Sequence, residues 1–210
     1  MGRYTGPICR LCRRQGMKLL GKGARCETAK CPMERQWRSN PPGQHGFRRG
    51  RDSEYGLRLR EKQKVKRYYG VFEAQFLRYF KQAERAKGNT GTALLTLLER
   101  RLDNVVFKLG WGSSRPAARL TITHGHIHVN GRRVNIPSYI VKVGDKLTVK
   151  ASERSQKLIR ARLEELGEPH VQNWLALDMA KLEGAVLALP TREDVNIPVE
   201  ENLIVEFCSR

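Results

Sequence analysis

The chain has 210 residues with 40 Lys and Arg against 21 Asp and Glu, a formal charge of +19 that repels itself unless a polyanion neutralises it. No apolar run approaches the roughly 20 residues that span a bilayer, and Met1, Gly2, Arg3 and Tyr4 open no signal peptide, so a membrane or secreted protein is not expected and the chain reads as cytosolic. Residues 1–87 hold 23 Lys and Arg against 7 Asp and Glu, which places salt-sensitive binding to a polyanion mainly in the front of the chain.

Residues 1 to about 50 are rich in Gly, Pro, Arg and Cys and show no sustained apolar period, so no ordinary core is expected there. Cys9, Cys12, Cys26 and Cys31 read as C-x2-C, thirteen residues, then C-x4-C, close to the spacing by which two knuckles present four thiolates to one structural zinc ion. Arg10, Arg13, Arg14 and Arg25 would favour the thiolate form, and the metal would order a segment that lacks a core. A redox pair at Cys9 and Cys12 would not need the second knuckle, and an iron–sulfur cluster has no accompanying sign of electron transfer. Cys208 reads as a packed or terminal thiol. The breaker run from Asn40 to Gly46 ends the arm, with Arg48 and Arg49 just beyond it as further cations for RNA.

From Glu54 to Lys87 apolar residues recur at helical intervals broken near Gly70, which predicts two basic helices. Arg58, Lys62, Lys66 and Arg67 crowd the first, with Tyr68 and Tyr69 beside them, a mixture suited to gripping phosphates and stacking on bases. Phe72, Phe76 and Phe80 read as core, while Trp37, Phe47 and Tyr55 remain stacking candidates. Thr92 is a candidate N-cap for a helix whose stripe is Leu94, Leu98, Leu102, Val105 and Leu109, stopped at Gly110. Ser114 and Pro116 start another helix, with Arg115 and Arg119 on one face and His124 and Gly125 at its end.

After Gly125 the period falls to two, and Asn130–Gly131 predicts a type I′ hairpin, with a second tight turn at Gly144 and Asp145. His124, His126 and His128 read as surface imidazoles rather than a metal site, because no carboxylate or cysteine accompanies them. Ser152 caps a helix with Leu158, Ile159, Leu163 and Leu166 on its apolar face, and residues 174–207 read as short strands. No P-loop, dinucleotide fingerprint, nucleophile elbow or H-E-x-x-H occurs. Arg101, Leu102 and Asp103 form an R-L-D tripeptide of the kind that carries the catalytic aspartate of pseudouridine synthases, but inside an amphipathic helix Asp103 reads as a surface charge pairing with a nearby Arg. A zinc-dependent DNA-binding regulator is the third class to weigh.

Four blocks carry a resemblance over nearly the full length: PPGQHG at 41–46, EKQKVKRYYGVFEAQF at 61–76, LLERRLDNVVFKLG at 97–110 and HGHIHVNGRRVNIPSY at 124–139. They resemble the bacterial S-four family of small-subunit ribosomal proteins, in a zinc-containing form. The resemblance implies a non-enzymatic, cytoplasmic ribosomal protein and a primary binder of small-subunit rRNA. Its site would be a multi-helix junction of the 5′ domain, where it nucleates assembly of the subunit body. It further implies contact with the fifth small-subunit protein, nearness to the channel by which messenger RNA enters, a contribution to translational accuracy, and no membrane partner. Carried onto this chain, it makes Arg115, Arg119, His124, His126, Asn130, Arg132 and Arg133 RNA contacts. Pro116, Thr121 and Thr123 depart from the more basic or Gln residues usual in the family, and Cys208 departs from its usual ending.

The expected fold is α+β: a basic zinc-knuckle arm and linker at 1–50, a basic helical domain at 51–98, a helix-pair and β-hairpin RNA-binding module at 99–165, and C-terminal strands at 166–210 that return to the helical domain.

Overall fold

The structure, a computed structural model, describes residues 2–46, 53–167, 169 and 171–209. It divides into two units, one of Met1–Leu94 with Ile197–Arg210 and one of Leu95–Asn196.

In the first unit, the arm forms a helix that apolar periodicity did not announce, α1 (Ile8–Gln15). Gly16 stops it at φ 67°, so that the Met17 and Gly16 N–H groups reach back to the carbonyls of Cys12 and Arg13. The two predicted basic helices are α2 (Glu54–Tyr68), capped by the Ser53 hydroxyl accepting from Gly56 N–H at 3.2 Å, and α3 (Glu73–Glu84). Gly70 turns the chain between them at φ 64°. Val65, Phe76, Phe80 and Ala83 are buried, but Phe72 is 47% exposed at the N-cap of α3 and does not join them. The tail read as strands instead ends in a helix, α8 (Glu201–Cys208), that packs on α2 through Glu206 to Arg58 and Phe207 to Tyr55. Ile204 is the residue α8 buries; its apolar residues repeat too closely for a strand that alternates faces.

α4 (Thr90–Glu99) is capped by Asn89, whose side-chain oxygen accepts from Gly91 and Thr92 N–H, and not by Thr92. The helix expected to continue through Leu109 breaks at Arg100 and Arg101, and α5 (Leu102–Lys108) begins anew. The break has a long-range cause. Leu102 N–H donates to Tyr139 C=O at 2.8 Å, Asp103 N–H to Pro137 C=O at 3.1 Å, and Val141 N–H to Arg100 C=O at 3.0 Å. Backbone groups freed by the break are therefore satisfied by a distant strand-like segment.

Gly110 ends α5 in the left-handed region, and α6 (Arg115–Thr123) starts where Ser114 Oγ accepts from Ala117 N–H at 3.3 Å. A β-carbon on Gly112 would lie 2.7 Å from the Ala118 backbone nitrogen, so this turn lets α6 approach more closely than any other residue would allow. β1 (Ile127–Val129) and β2 (Arg132–Arg133) make the predicted hairpin, with Asn130 at φ 51° and Gly131 at φ 76° as a type I′ turn requires. β3 (Lys146–Val149), β4 (Leu175–Asp178) and β5 (Glu183–Val186) complete one antiparallel sheet in the order β2-β1-β3-β5-β4. The tail strands thus extend the hairpin's own sheet. Ile127 pairs with Val149 and Val129 with Leu147, which turns these four toward a core of Leu102, Val105, Leu109, Trp111 and Ile122. From α7 (Glu153–Leu166), Ile159 and Leu163 join that core, whereas Leu158 and Leu166 are partly exposed.

Asp103 is not a surface charge. Its two oxygens accept from Arg101 Nε at 3.0 Å and Nη2 at 2.5 Å, and the two side chains are 5% and 0% exposed. Removing the carboxylate would strand a buried guanidinium, so Asp103→Ala should cost about 3–5 kcal/mol in urea unfolding, while replacing both partners by Arg101→Met and Asp103→Leu should cost much less. Equal losses in the single and double variants would show that the ion pair is not what holds this corner.

Candidate nucleic-acid interface

The cations of α2 fall into two groups. Glu73 accepts from Lys62 at 2.6 Å and from Lys66 at 2.8 Å, and Lys62, only 7% exposed, also sets its ammonium 4.5 Å from the Phe207 ring centre. Burial works to raise the Glu73 pKa, but the hydrogen bonds from Lys62 and Lys66 outweigh it and hold the carboxyl below its ordinary value. Arg58 is shared between Glu54 at 3.0 Å and Glu206 at 2.7 Å. These three predicted contacts are therefore tied to acids of their own unit. Arg67 has no ion pair among the described residues, and neither do Arg10, Arg13 and Arg14 of α1. Arg48, Arg49 and Phe47 lie outside the described residues.

Tyr68 and Tyr69 do not offer rings to bases: they are 7% and 3% exposed and meet edge to face with centroids 5.1 Å apart. Trp37, 68% exposed, carries the Arg38 guanidinium 4.2 Å over its ring, and Tyr55 is 61% exposed.

The four arm cysteines are free thiols, with Cys12, Cys26 and Cys31 buried and Cys9 half-buried. Burial pushes the Cys12 thiol up, a hydrogen bond from the Leu19 backbone lowers it, and Cys26, Cys9 and Cys31 raise it further by their charge. All three other thiols therefore stand within electrostatic reach of Cys12. Among the described residues no group of three or more His, Cys, Asp or Glu side chains is poised to hold a metal ion. The donors fit zinc in kind and neighbourhood, while their present spacing is not that of a closed tetrahedral site.

In the second unit, a buried polar network positions α6. Glu99, 0% exposed, accepts from Asn104 Nδ2 and from Lys108 Nζ, each at 2.6 Å, and Asn104 Oδ1 in turn accepts from Arg115 Nε at 2.9 Å. Lys108 also donates to the Asp194 carbonyl and to Gln172; burial lowers its pKa and the Glu99 carboxylate opposes that. Arg115 and Arg119 are only 6% and 9% exposed, so the face they share turns inward. Asn130 is likewise engaged, donating to Asp145 Oδ1 and accepting from Lys146 N–H, both at 2.9 Å, which clips the hairpin to the Gly144–Asp145 turn.

The outer face is formed by Arg132 and Arg133, both exposed, with His124 exposed and His126 and His128 half-buried. Arg133 stands opposite His128 in the hairpin, and its Nε lies 2.3 Å from where a β-carbon of Gly125 would be, so the glycine leaves room for this guanidinium at the end of α6. His126 Nδ1 is 2.8 Å from Ser155 Oγ of α7. Burial lowers the His126 pKa, and the charges of His124, Arg162 and Lys150 lower it further. Arg162 and Lys150 are additions to the site that no local spacing singles out; Arg162 comes from α7, where it donates to Trp111 C=O and Thr121 Oγ1.

Two families match the chain: "Ribosomal protein S4/S9 N-terminal domain" over residues 3–99 and "S4 domain" over residues 100–147. It is similar to the small ribosomal subunit protein uS4 of Halothermothrix orenii, at 56% identity over 210 residues, and of a Thermoanaerobacter species, at 55%, each alignment covering all of both chains. The same holds for uS4 of Thermus thermophilus, at 54% over 211 residues.

Because the native module disfavours a proton on His126, its contribution to stability is in place above the ordinary histidine value of about 6.5 and is lost as pH falls through the lowered one. Melting temperatures measured from about pH 7.5 to pH 5 should therefore fall more for the wild type than for His126→Asn. Parallel curves would remove His126 as the cause.

Proposed function

The chain belongs to the uS4 family of small ribosomal subunit proteins, a structural and RNA-binding component of the cytoplasmic ribosome and not an enzyme, and on that premise we propose which RNA it holds and how. Its partner is small-subunit rRNA at a multi-helix junction of the 5′ domain. Binding there nucleates the subunit body, next to the fifth small-subunit protein and the path by which messenger RNA enters. Holding that neighbourhood rigid is its contribution to accuracy.

The observation that carries this reading is the uneven pairing of cations. Where Glu73, Glu54 and Glu206 hold Lys62, Lys66 and Arg58, the charge is internal. The exposed Arg10, Arg14, Arg132 and Arg133 have no carboxylate among the described residues and suit phosphate oxygens, which they contact through a planar fork of donors. A hairpin and helix pair held by buried hydrogen bonds presents its cations in a fixed shape, as recognition of folded RNA demands. Arg115, Arg119 and Asn130 act in this scheme by holding that shape. On this basis, raising salt should weaken binding to 5′-domain RNA steeply in a filter or mobility-shift titration, and Arg132→Gln with Arg133→Gln should flatten the log–log slope by roughly one per phosphate lost. An unchanged slope would break the assignment of these arginines.

The arm is a structural zinc knuckle in this reading, with Cys9, Cys12, Cys26 and Cys31 as ligands to one ion per chain. Supporting it are four thiols in no disulfide, three of them within electrostatic reach of Cys12, in a segment with little apolar core. Bound zinc would supply folding free energy to α1 and the turns that follow it. Native mass spectrometry should find one zinc per chain, absent from the Cys9→Ser, Cys12→Ser double variant; protein prepared without chelators and free of metal would overturn it.

A further inference from the structure

Arg67 ends α2 in a condition that, among the described predicted contacts, only Arg115 shares, and Arg115 is otherwise held by Asn104. The Arg67 Nη1 is a buried donor without an acceptor among the described residues, and leaving such a donor unmade is costly. It is moreover not alone: α1 lies against α2, and Arg14 of α1 brings a like charge within electrostatic reach, while Tyr4 is the group whose charge would favour the Arg67 cation. Burial is the larger reason that the Arg67 cation is disfavoured, and Arg14 adds to it. A water molecule could accept the idle hydrogen bond but would do nothing about two like charges. An anion answers both.

We propose that Arg14 and Arg67, with Tyr4 beside them, form a cradle for a single phosphate between α1 and α2, filled by one RNA backbone phosphate in the complex. The inference rests on the RNA-binding reading above, but the cradle itself is a property of the free chain. Arg67 supplies a donor without an acceptor from a helix already packed in the unit, and Arg14 supplies the second guanidinium from an exposed position, so ligand binding would tie α1 to α2. The unpaired thiols of α1 belong to a different function of the same helix.

The full-length chain tests this in two ways. In the first, the melting temperature of the free wild type is compared in sodium phosphate and sodium chloride at matched ionic strength. A rise specific to phosphate, absent from Arg67→Gln and reduced in Arg67→Lys, is expected; no phosphate-specific rise in the wild type overturns the cradle. In the second, the salt dependence of binding to 5′-domain RNA is measured for Arg14→Gln, Arg67→Gln and the double variant. Because one phosphate is shared, each single change and the double change should all lower the slope by about one. A fall of about two in the double variant would mean two separate phosphates, and no fall would mean a purely structural Arg67; either overturns the shared site. Should the wild type fail to bind this RNA at all, the proposed function falls, and the phosphate-specific melting shift still decides the cradle. Arg14→Gln, on an exposed helix position, guards against loss of folding in the Arg67 variants.

Discussion

With 21 acids among 40 Lys and Arg, the fold cannot neutralise every cation, and where the acids go determines what the rest of the surface is able to do. Two are committed in the interior of the second unit, Asp103 to Arg101 and Glu99 to Lys108, at sites where an unpaired charge would be far more costly than at the surface. Others sit along α2: Glu61 against Lys64, Glu73 against Lys62 and Lys66, Glu54 and Glu206 against Arg58. Of these, the pairs of Arg58 with the exposed Glu54 and Glu206 add little stability, so their main consequence is electrostatic. Together the pairs quiet much of α2 and leave α1, the end of α2 and the hairpin as places where, among the described residues, arginines stand without a carboxylate.

The Glu99 network then explains how the second unit holds its shape. A fully buried carboxylate survives because Asn104 and Lys108 both donate to it, and Asn104 passes the constraint to α6 through Arg115. Gly112 allows α6 to lie against the preceding turn, and Arg162 fastens α7 to Trp111 and Thr121. Every one of these bonds joins elements that apolar packing alone would leave free to slide, since side chains such as Leu102 and Ile122 accept several registers whereas a buried donor accepts few. Polar specificity laid over an apolar core is a sound way to hold the hairpin in one place relative to the helices that carry it.

Those elements whose cause is local were legible in the amino-acid sequence. Gly70 between two helices, Ser114 with Pro116 at a helix start, and Asn130–Gly131 in a hairpin each specify a backbone conformation through the residue itself. The break at Arg100 and Arg101 was not legible, because the apolar stripe runs through it without interruption and the bonds that cause it come from residues 137–141. Glu54 stands four residues before Arg58, a pairing that spacing can suggest, but Glu206 joins it from 148 positions away, which no spacing rule could tell. The inward turn of Arg115 and Arg119 was hidden for a similar reason: an arginine face reads as exposed until the buried Asn104 that receives Arg115 is known. The C-terminal helix was missed because residues 174–207 read as short strands, and only the α2 surface it covers shows why 201–208 should coil.

A difference between the two basic side chains follows from this division. Lys62 and Lys66, the lysines among the predicted RNA contacts, are both held by Glu73, whereas the permanent cations among those contacts that lack a carboxylate among the described residues are arginines. An ammonium is a compact, strongly hydrated point charge, well matched to one carboxylate on a helix surface. A guanidinium is weakly hydrated and keeps several directed donors, so it can remain partly buried without a protein partner and still be ready for a phosphate. Arg67 is the limiting case, with a buried Nη1 that has no acceptor among the described residues. An orphaned donor of that kind lowers the ordering cost of binding, because it gives up no protein partner when a ligand arrives.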